Sequence, residues 1–386
     1  MLDLTGTNPT RAGLAAHPVA LLAALRDAEV AGIVGVAPYD PDPRGLVAAR
    51  EAVAAYLAAR VEGVAERESS GRMGGREAAD PARIFLTAST SEAYAHLFRL
   101  LCEPGDEVLI PRPAYPLIEP IARVECVRAV PYRLAYHEGW RLDVDSLEAS
   151  AGPRTRAVVL VQPNNPTGSC MNADEIERIE ALCLARGIAI VADEVFGDFP
   201  WATEARSLPS VHGATRAATF TLGGVSKTCG LPQLKIAWIA ASGPKEAVTP
   251  LLTGLEWILD LFLSVGDPAA AALPRLLEER GGFQAAMRAR LKQNMRSLRD
   301  AADRSGGRFE VYRGDGGWSA IVRLEAGTGR DSSAVFGGDL AEWALAEHEV
   351  HLHPAHFYDL ARDDLGVLSL VTDPAVLERA LGRLLG

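Results

Sequence analysis

Apolar residues recur at helical spacing over residues 46–59, and the pattern predicts an amphipathic helix there. From residue 60 to residue 80 the periodicity fails. The run Glu-Ser-Ser-Gly-Arg-Met-Gly-Gly-Arg within it reads as a mobile surface loop. From Ile84 onward, short β-rich runs alternate with amphipathic segments. Strands are predicted at 84–86, 107–110, 126–130, 157–161, 188–192 and 219–222, with helices between several of them, at 91–101 and 173–185 among others. This βαβ rhythm implies an α/β fold with a mostly parallel sheet covered on both faces. In such sheets ligands collect at the carboxyl ends of the strands, so the loops there are where chemistry is to be sought. After Gly281 the rhythm changes to a long helix at 283–302, strands at 309–312 and 319–324, a helix at 334–346, strands at 350–352 and 367–370, and a final helix at 375–385. That order predicts a separate α+β domain.

The chain has 386 residues, of which 48% are hydrophobic and 23% charged, enough apolar material for a large core. A net charge of −11 argues against nucleic acid or an anionic membrane as partner, because both select positive surfaces. The five cysteines are scattered and never form a C-x-x-C pair, which points away from a disulfide framework or zinc site. The N-terminal residues lack the basic and apolar regions of a signal peptide, and no stretch approaches the ~20 apolar residues of a membrane span. A cytoplasmic protein is therefore expected. Four of the 39 basic residues are lysines: Lys227, Lys235, Lys245 and Lys292. Where arginine is the default cation, a retained lysine points either to amine chemistry that arginine cannot perform or to drift at an exposed site.

Four segments at predicted strand ends carry candidate chemistry. Thr87-Ala-Ser-Thr-Ser-Glu92 runs from a strand into a helix, which suits either a phosphate at the helix N-terminus or an ordinary N-cap with Glu92. Val161-Gln-Pro-Asn-Asn-Pro-Thr-Gly168 holds Asn165 in a turn-rich run that could present a rigid amide or be only a turn. In Ile190-Val-Ala-Asp-Glu-Val-Phe196, Asp193 ends a buried strand and must either meet a cation or reach solvent. Gly223-Gly-Val-Ser-Lys-Thr-Cys-Gly surrounds Lys227 with small residues that let a large ligand approach its amine.

Together, Asn-Pro-Thr-Gly, Asp-Glu-Val and Ser-Lys in this order resemble the pyridoxal-phosphate enzymes of the aspartate aminotransferase fold (fold type I, aminotransferase class I/II), over nearly the whole chain. The resemblance implies a mostly parallel seven-stranded sheet sandwiched by helices over 46–282, with a smaller α+β domain formed by 1–45 plus 283–386. It implies pyridoxal 5′-phosphate as cofactor, a small amino donor and a keto or aldehyde acceptor as substrates, and a homodimer with shared active sites. Lys227 would hold the cofactor as a Schiff base and move the proton, and Asp193 would pair with the ring nitrogen. Asn165 would bond the ring hydroxyl and Tyr115 would stack on the ring. Ser89, Thr90 and Ser226 would hold the phosphate, with Tyr39 reaching it from the partner. A lyase or other carbanion chemistry on the same scaffold is the alternative outcome.

Three positions depart from the family pattern. Phe196 stands where a tyrosine is usual, which is expected to raise the Schiff-base pKa. Lys235 replaces the phosphate arginine, giving a point charge instead of a fork. Val367-Leu-Ser369 aligns with the motif whose arginine clamps the substrate carboxylate. Three readings stand open: another arginine substitutes, with Arg112 a candidate; the substrate lacks that carboxylate; or the true alignment falls on Arg362. His348, His351, His353 and His356 form no recognised ligand spacing with Glu349 or Asp359, and no metal is expected.

Overall fold

The computed structural model describes residues 1–14, 22–27, 41–65, 78–201, 210–325 and 339–386. Among them run strands β1 (Leu2–Asp3), β2 (Ile84–Thr87), β3 (Glu107–Arg112), β4 (Arg128–Tyr136), β5 (Trp140–Leu142), β6 (Thr155–Val161), β7 (Ala189–Asp193), β8 (Thr219–Gly224), β9 (Ala237–Ser242), β10 (Phe309–Val311), β11 (Ser319–Leu324), β12 (Val350–His351), β13 (His353–Pro354) and β14 (Leu365–Ser369).

The strands β6 and β7 are nearly continuous apolar runs and β8, Thr-Phe-Thr-Leu-Gly-Gly, is buried throughout, because both faces of the sheet are covered. On one face Val159, Val191 and Phe220 pack against Tyr94, Leu97 and Phe98 of the Thr90–Leu101 helix. On the other, Val158, Leu160 and Ile190 pack against Ile179 and Cys183 of the Ala173–Arg186 helix. Asn172 and Glu175 start that second helix with a reciprocal capping box, and Gly187 ends it at φ 64°. The sheet order is β2-β9-β8-β7-β6-β3-β4-β5. The pairings from β8 to β4 are parallel, whereas β9 runs antiparallel to both neighbours and β5 antiparallel to β4.

This large sheet has eight strands where the resemblance implied seven. The addition is β5, three residues long and returning from β4 by a tight turn, too short to show an alternation. Strand β9 was also not predicted. Its Ala-Trp-Ile-Ala-Ala-Ser sequence is dominated by small residues that signal a strand weakly.

A second sheet, β10-β11-β14-β13, is antiparallel throughout. Met287, Leu291, Met295 and Leu298 of the Gly281–Arg304 helix cover its Ala320, Val322 and Leu368. The chain start joins this region, since β1 pairs in parallel with β12 and Leu4 is fully buried in the same core.

The loop expected from residue 60 is corrected in its first part: the helix runs Val47–Ala65. Arg60 broke the apolar periodicity and so read as solvent-facing, yet it is buried and pairs with Glu194 at 2.9 Å. Residues 66–77 lie outside the described residues. Among the described residues no helix is long and apolar enough to cross a membrane.

Candidate active site

Three adjacent parallel strands deliver the chemistry. The loop leaving β6 carries Asn165, β7 ends at Asp193, and β8 runs into a short helix, Val225–Thr228, that carries Lys227. Their side chains meet in one cavity of about 480 Å³, together with Thr90 and Tyr94 from the Thr90–Leu101 helix and Tyr115 from the loop after β3. The β6 loop is held in place through Gly168, whose φ is +69° and whose carbonyl accepts from the backbone N–H of Asp315 and Gly316. A Cβ at Gly168 would lie 2.6 Å from the Gly316 carbonyl, so this close approach requires glycine.

Asp193 is 7% exposed and accepts hydrogen bonds from the Tyr94 hydroxyl at 2.9 Å and the Val195 N–H at 3.2 Å. Burial pushes its carboxyl up to about 6, while those two hydrogen bonds and the Lys227 charge pull the other way. Burial also lowers the Lys227 amine to about 8, opposed by Asp193. The Lys227 Nζ lies 4.8 Å from the Trp318 ring centre and 5.5 Å from that of Phe196, and the two rings meet edge to face at 5.5 Å. A partly neutral amine thus faces a buried carboxylate inside an aromatic wall.

Of the residues singled out in the sequence, Thr90, Tyr115, Asn165, Asp193, Phe196 and Lys227 line this cavity. Ser89, Ser226 and Lys235 do not. The Ser89 hydroxyl accepts from the Glu92 N–H at 3.1 Å, and the Glu92 carboxylate accepts from the Ala88 N–H at 2.6 Å, so this hydroxyl serves as the helix cap. Lys235 is exposed, at φ 53° after a 3-10 turn. Tyr39 lies outside the described residues.

Val367 is completely buried with Trp140, Ile321, Tyr358 and Leu365. Neither proposed substitute for its missing guanidinium reaches the cavity lining. Arg112 is held by Glu119 and Asp359, and Arg362 by Asp364 at 2.8 Å. The histidines disperse: His351 faces Asp3 at 3.5 Å, His356 faces Asp339 at 3.1 Å, His348 packs on Trp343, and His353 lines the cavity.

The sequence pattern reads residues 348–356 as a surface or cavity-lining strand, and His353 lines the cavity; Tyr94, Phe357 and Tyr358 were missed as wall residues. Tyr94 could have been found, since it lies four residues after Thr90 and so shares its helix face. Phe357 and Tyr358 come from the 3-10 turn after β13, and nothing in their spacing marks them.

A family model described as "Aminotransferase class I and II" matches residues 6–384. Nicotianamine aminotransferase 1 of Oryza sativa subsp. japonica is 30% identical over 50% of this chain and 40% of its own length. An S-alkyl-thiohydroximate lyase of Arabidopsis thaliana is 30% identical over 61% of this chain and 48% of its own. The chain thus spans about half the length, or less, of these curated relatives. Among solved structures, N-succinyldiaminopimelate aminotransferase from Mycobacterium tuberculosis superposes with a TM-score of 0.77 at 23% identity, over 99% of this chain and 92% of that one.

The cofactor of this family is pyridoxal 5′-phosphate, and the cavity fits it. The side-chain oxygen of Asn165 is buried without a hydrogen-bond partner, so an amide is left to meet a polar group in the cavity. Asp193 can meet a ring cation, Lys227 offers an amine for a carbonyl, and Thr90 stands at a helix N-terminus suited to phosphate. With its family model matched from end to end and its fold shared with solved aminotransferases, this chain belongs to the class I and II aminotransferases.

Proposed function

We propose that this protein is a pyridoxal-phosphate-dependent aminotransferase that moves an amino group from an amino donor to a keto or aldehyde acceptor. The observation that carries this reading is the convergence of Lys227, Asp193 and Asn165 at the ends of three neighbouring parallel strands. When bound, the cofactor supplies an electron sink for the carbon that bears the amine. The chain supplies the rest. Lys227, lowered to about 8, has a neutral fraction near pH 7 that can attack a carbonyl, and the same amine can hold or release a proton beside the reacting carbon. Asp193, fixed by Tyr94, holds the opposite charge at the cavity floor. Asn165 orients by its amide, Tyr115 offers a ring face, and Thr90 with the free N–H groups of its helix turn would hold phosphate.

The two-domain division at 46–282 and 1–45 plus 283–386 belongs to the same reading, supported at the chain start by the β1–β12 pairing, whereas Ala24 packs with Val53, Leu57 and Leu273 and Arg44 pairs with Glu256 of the large domain. So does a homodimer with shared sites. Trp257, Leu261 and Phe262 lie exposed in succession at the end of the Lys245–Asp260 helix, an apolar surface that a second copy would cover.

The Arabidopsis relative is named as a lyase, which keeps elimination as the second reading. Reduction of the loaded protein with borohydride and peptide mass mapping tests the cofactor assignment. The cofactor mass is expected on the peptide carrying Lys227 and absent from Lys227→Ala. A modified peptide elsewhere in the chain would remove Lys227 from its role.

A further inference from the structure

A carboxylate drawn into a low-dielectric pocket costs several kcal/mol unless a cation or a set of hydrogen-bond donors meets it. Among the described residues the wall of this cavity has one cation, Lys227, whose amine burial lowers to about 8 and which shares the cavity with the Asp193 carboxylate. The place where the sequence pattern puts the guanidinium clamp is occupied by Val367, with no exposed surface at all. Its partners across the sheet are Ile321, buried beside it, and His353, which lines the cavity. Its imidazole stacks on Phe357 with ring centres 5.4 Å apart and planes within 8°. A flat ring stacked in this way cannot supply the bidentate fork of a guanidinium. Arg112 and Arg362 already have carboxylate partners and lie off the wall.

The rest of this side of the cavity is aromatic. Tyr115, Phe357 and Tyr358 form a mutually packed group, with ring centres 6.0, 6.2 and 5.1 Å apart. The polar groups nearby, Thr5, Thr7 and Ser319, are uncharged hydroxyls.

We propose that the amino substrate carries no carboxylate on its reacting carbon and is instead a primary amine with an apolar end that packs on Tyr115, Phe357 and Tyr358. Val367 and His353 set this choice. The inference rests on the amino-transfer reading of the site and names its substrate class. In the overall exchange the donor carbon loses two electrons and passes from amine to aldehyde. Its nitrogen goes to the keto or aldehyde acceptor, whose carbonyl carbon gains the same two electrons and becomes an amine; one water supplies the oxygen of the new aldehyde, and the acceptor oxygen leaves as another.

Two unreactive compounds of one skeleton, 3-phenylpropan-1-ol and 3-phenylpropionate, test this by calorimetric titration of the cofactor-loaded protein. The alcohol is expected to bind at least ten-fold more tightly. Equal or tighter binding of the carboxylate, or no binding of either compound, overturns the proposal. His353→Arg, a change at a partly buried wall position, is expected to raise the affinity for 3-phenylpropionate at least ten-fold while the melting temperature holds. No gain in a folded variant overturns the role given to His353. These are binding measurements, so they remain decisive whether or not borohydride mapping finds the cofactor on Lys227, and the two readings can fail separately.

Discussion

At the scale of residues, the site is an amine and a carboxylate whose burial costs are partly offset by one another. The Asp193 carboxyl at about 6 stands above its ordinary value of 3.8, with burial the first cause. Between about pH 4 and 6 the folded, cofactor-free protein keeps a proton there that the unfolded chain has released. The contribution of this group to stability is therefore full below about pH 4 and is lost as the pH rises through 6, by at most about 3 kcal/mol. Denaturant melts of the wild type and Asp193→Asn across pH 4–7 check this. The wild type is expected to lose stability relative to the variant as the pH rises, and a constant difference would contradict it.

Phe196 gives a second prediction at this scale. It packs edge-on to Trp318 and offers no hydroxyl to the cavity. Phe196→Tyr is expected to lower the pKa of the Lys227-linked absorbance band by about one to two pH units, the worth of one hydrogen bond to a charged acceptor. Spectroscopic titration of the two proteins measures the difference.

Lys227, Asp193 and Asn165 were legible because each sits in a short run whose chemistry is local to the sequence. Phe357 and Tyr358 were not, because they become wall residues only when the second sheet is placed against the first.

At the scale of elements, apolar runs and caps announced most strands and helices of the large sheet. Failure came where tertiary contacts override local pattern. The Val47–Ala65 helix continues through Arg60 because that guanidinium pairs with Glu194 at 2.9 Å and lies over the Tyr56 ring at 5.9 Å. Glu194 also accepts from the Ser210 hydroxyl and the Val211 N–H, at 2.7 and 2.6 Å. A buried charge network thus ties this helix to the residue that follows Asp193. Taking away one partner leaves the other charge buried, which costs about 3–5 kcal/mol. Arg60→Met is expected to lower the unfolding free energy from denaturant melts by that amount with an unchanged slope; a loss under about 1 kcal/mol would mean that the pair is solvated.

Helix capping explains a second divergence at this scale. The Ser89 side chain could not be assigned between phosphate and cap from sequence alone, and in the fold it is the cap. Thr90 and Ser91, the next two residues, line the cavity instead.

At the scale of the whole molecule, the cavity exists because two sheets meet. The large sheet supplies the amine, carboxylate and amide from β6 to β8. The second sheet supplies Ser319 and His353, and the N-terminal segment, whose β1 pairs with β12 and whose Leu4 carbonyl accepts from the Ser369 N–H, supplies Thr5 and Thr7. The scarcity of lysine gains a reading at this scale. One of the four lines the cavity beside a buried carboxylate, whereas Lys235 and Lys245 are exposed.

The central claim is that this architecture transfers an amino group through Lys227. The most direct measurement is a single turnover without acceptor: the loaded protein is mixed with a panel of amino acids and simple amines, and carbonyl product, free ammonia and the cofactor absorbance are quantified together. One carbonyl product per site is expected from at least one donor. The nitrogen is expected to be retained on the protein, and Lys227→Ala to lose both. Ammonia released in step with product over many turnovers, or undiminished release by Lys227→Ala, would contradict it.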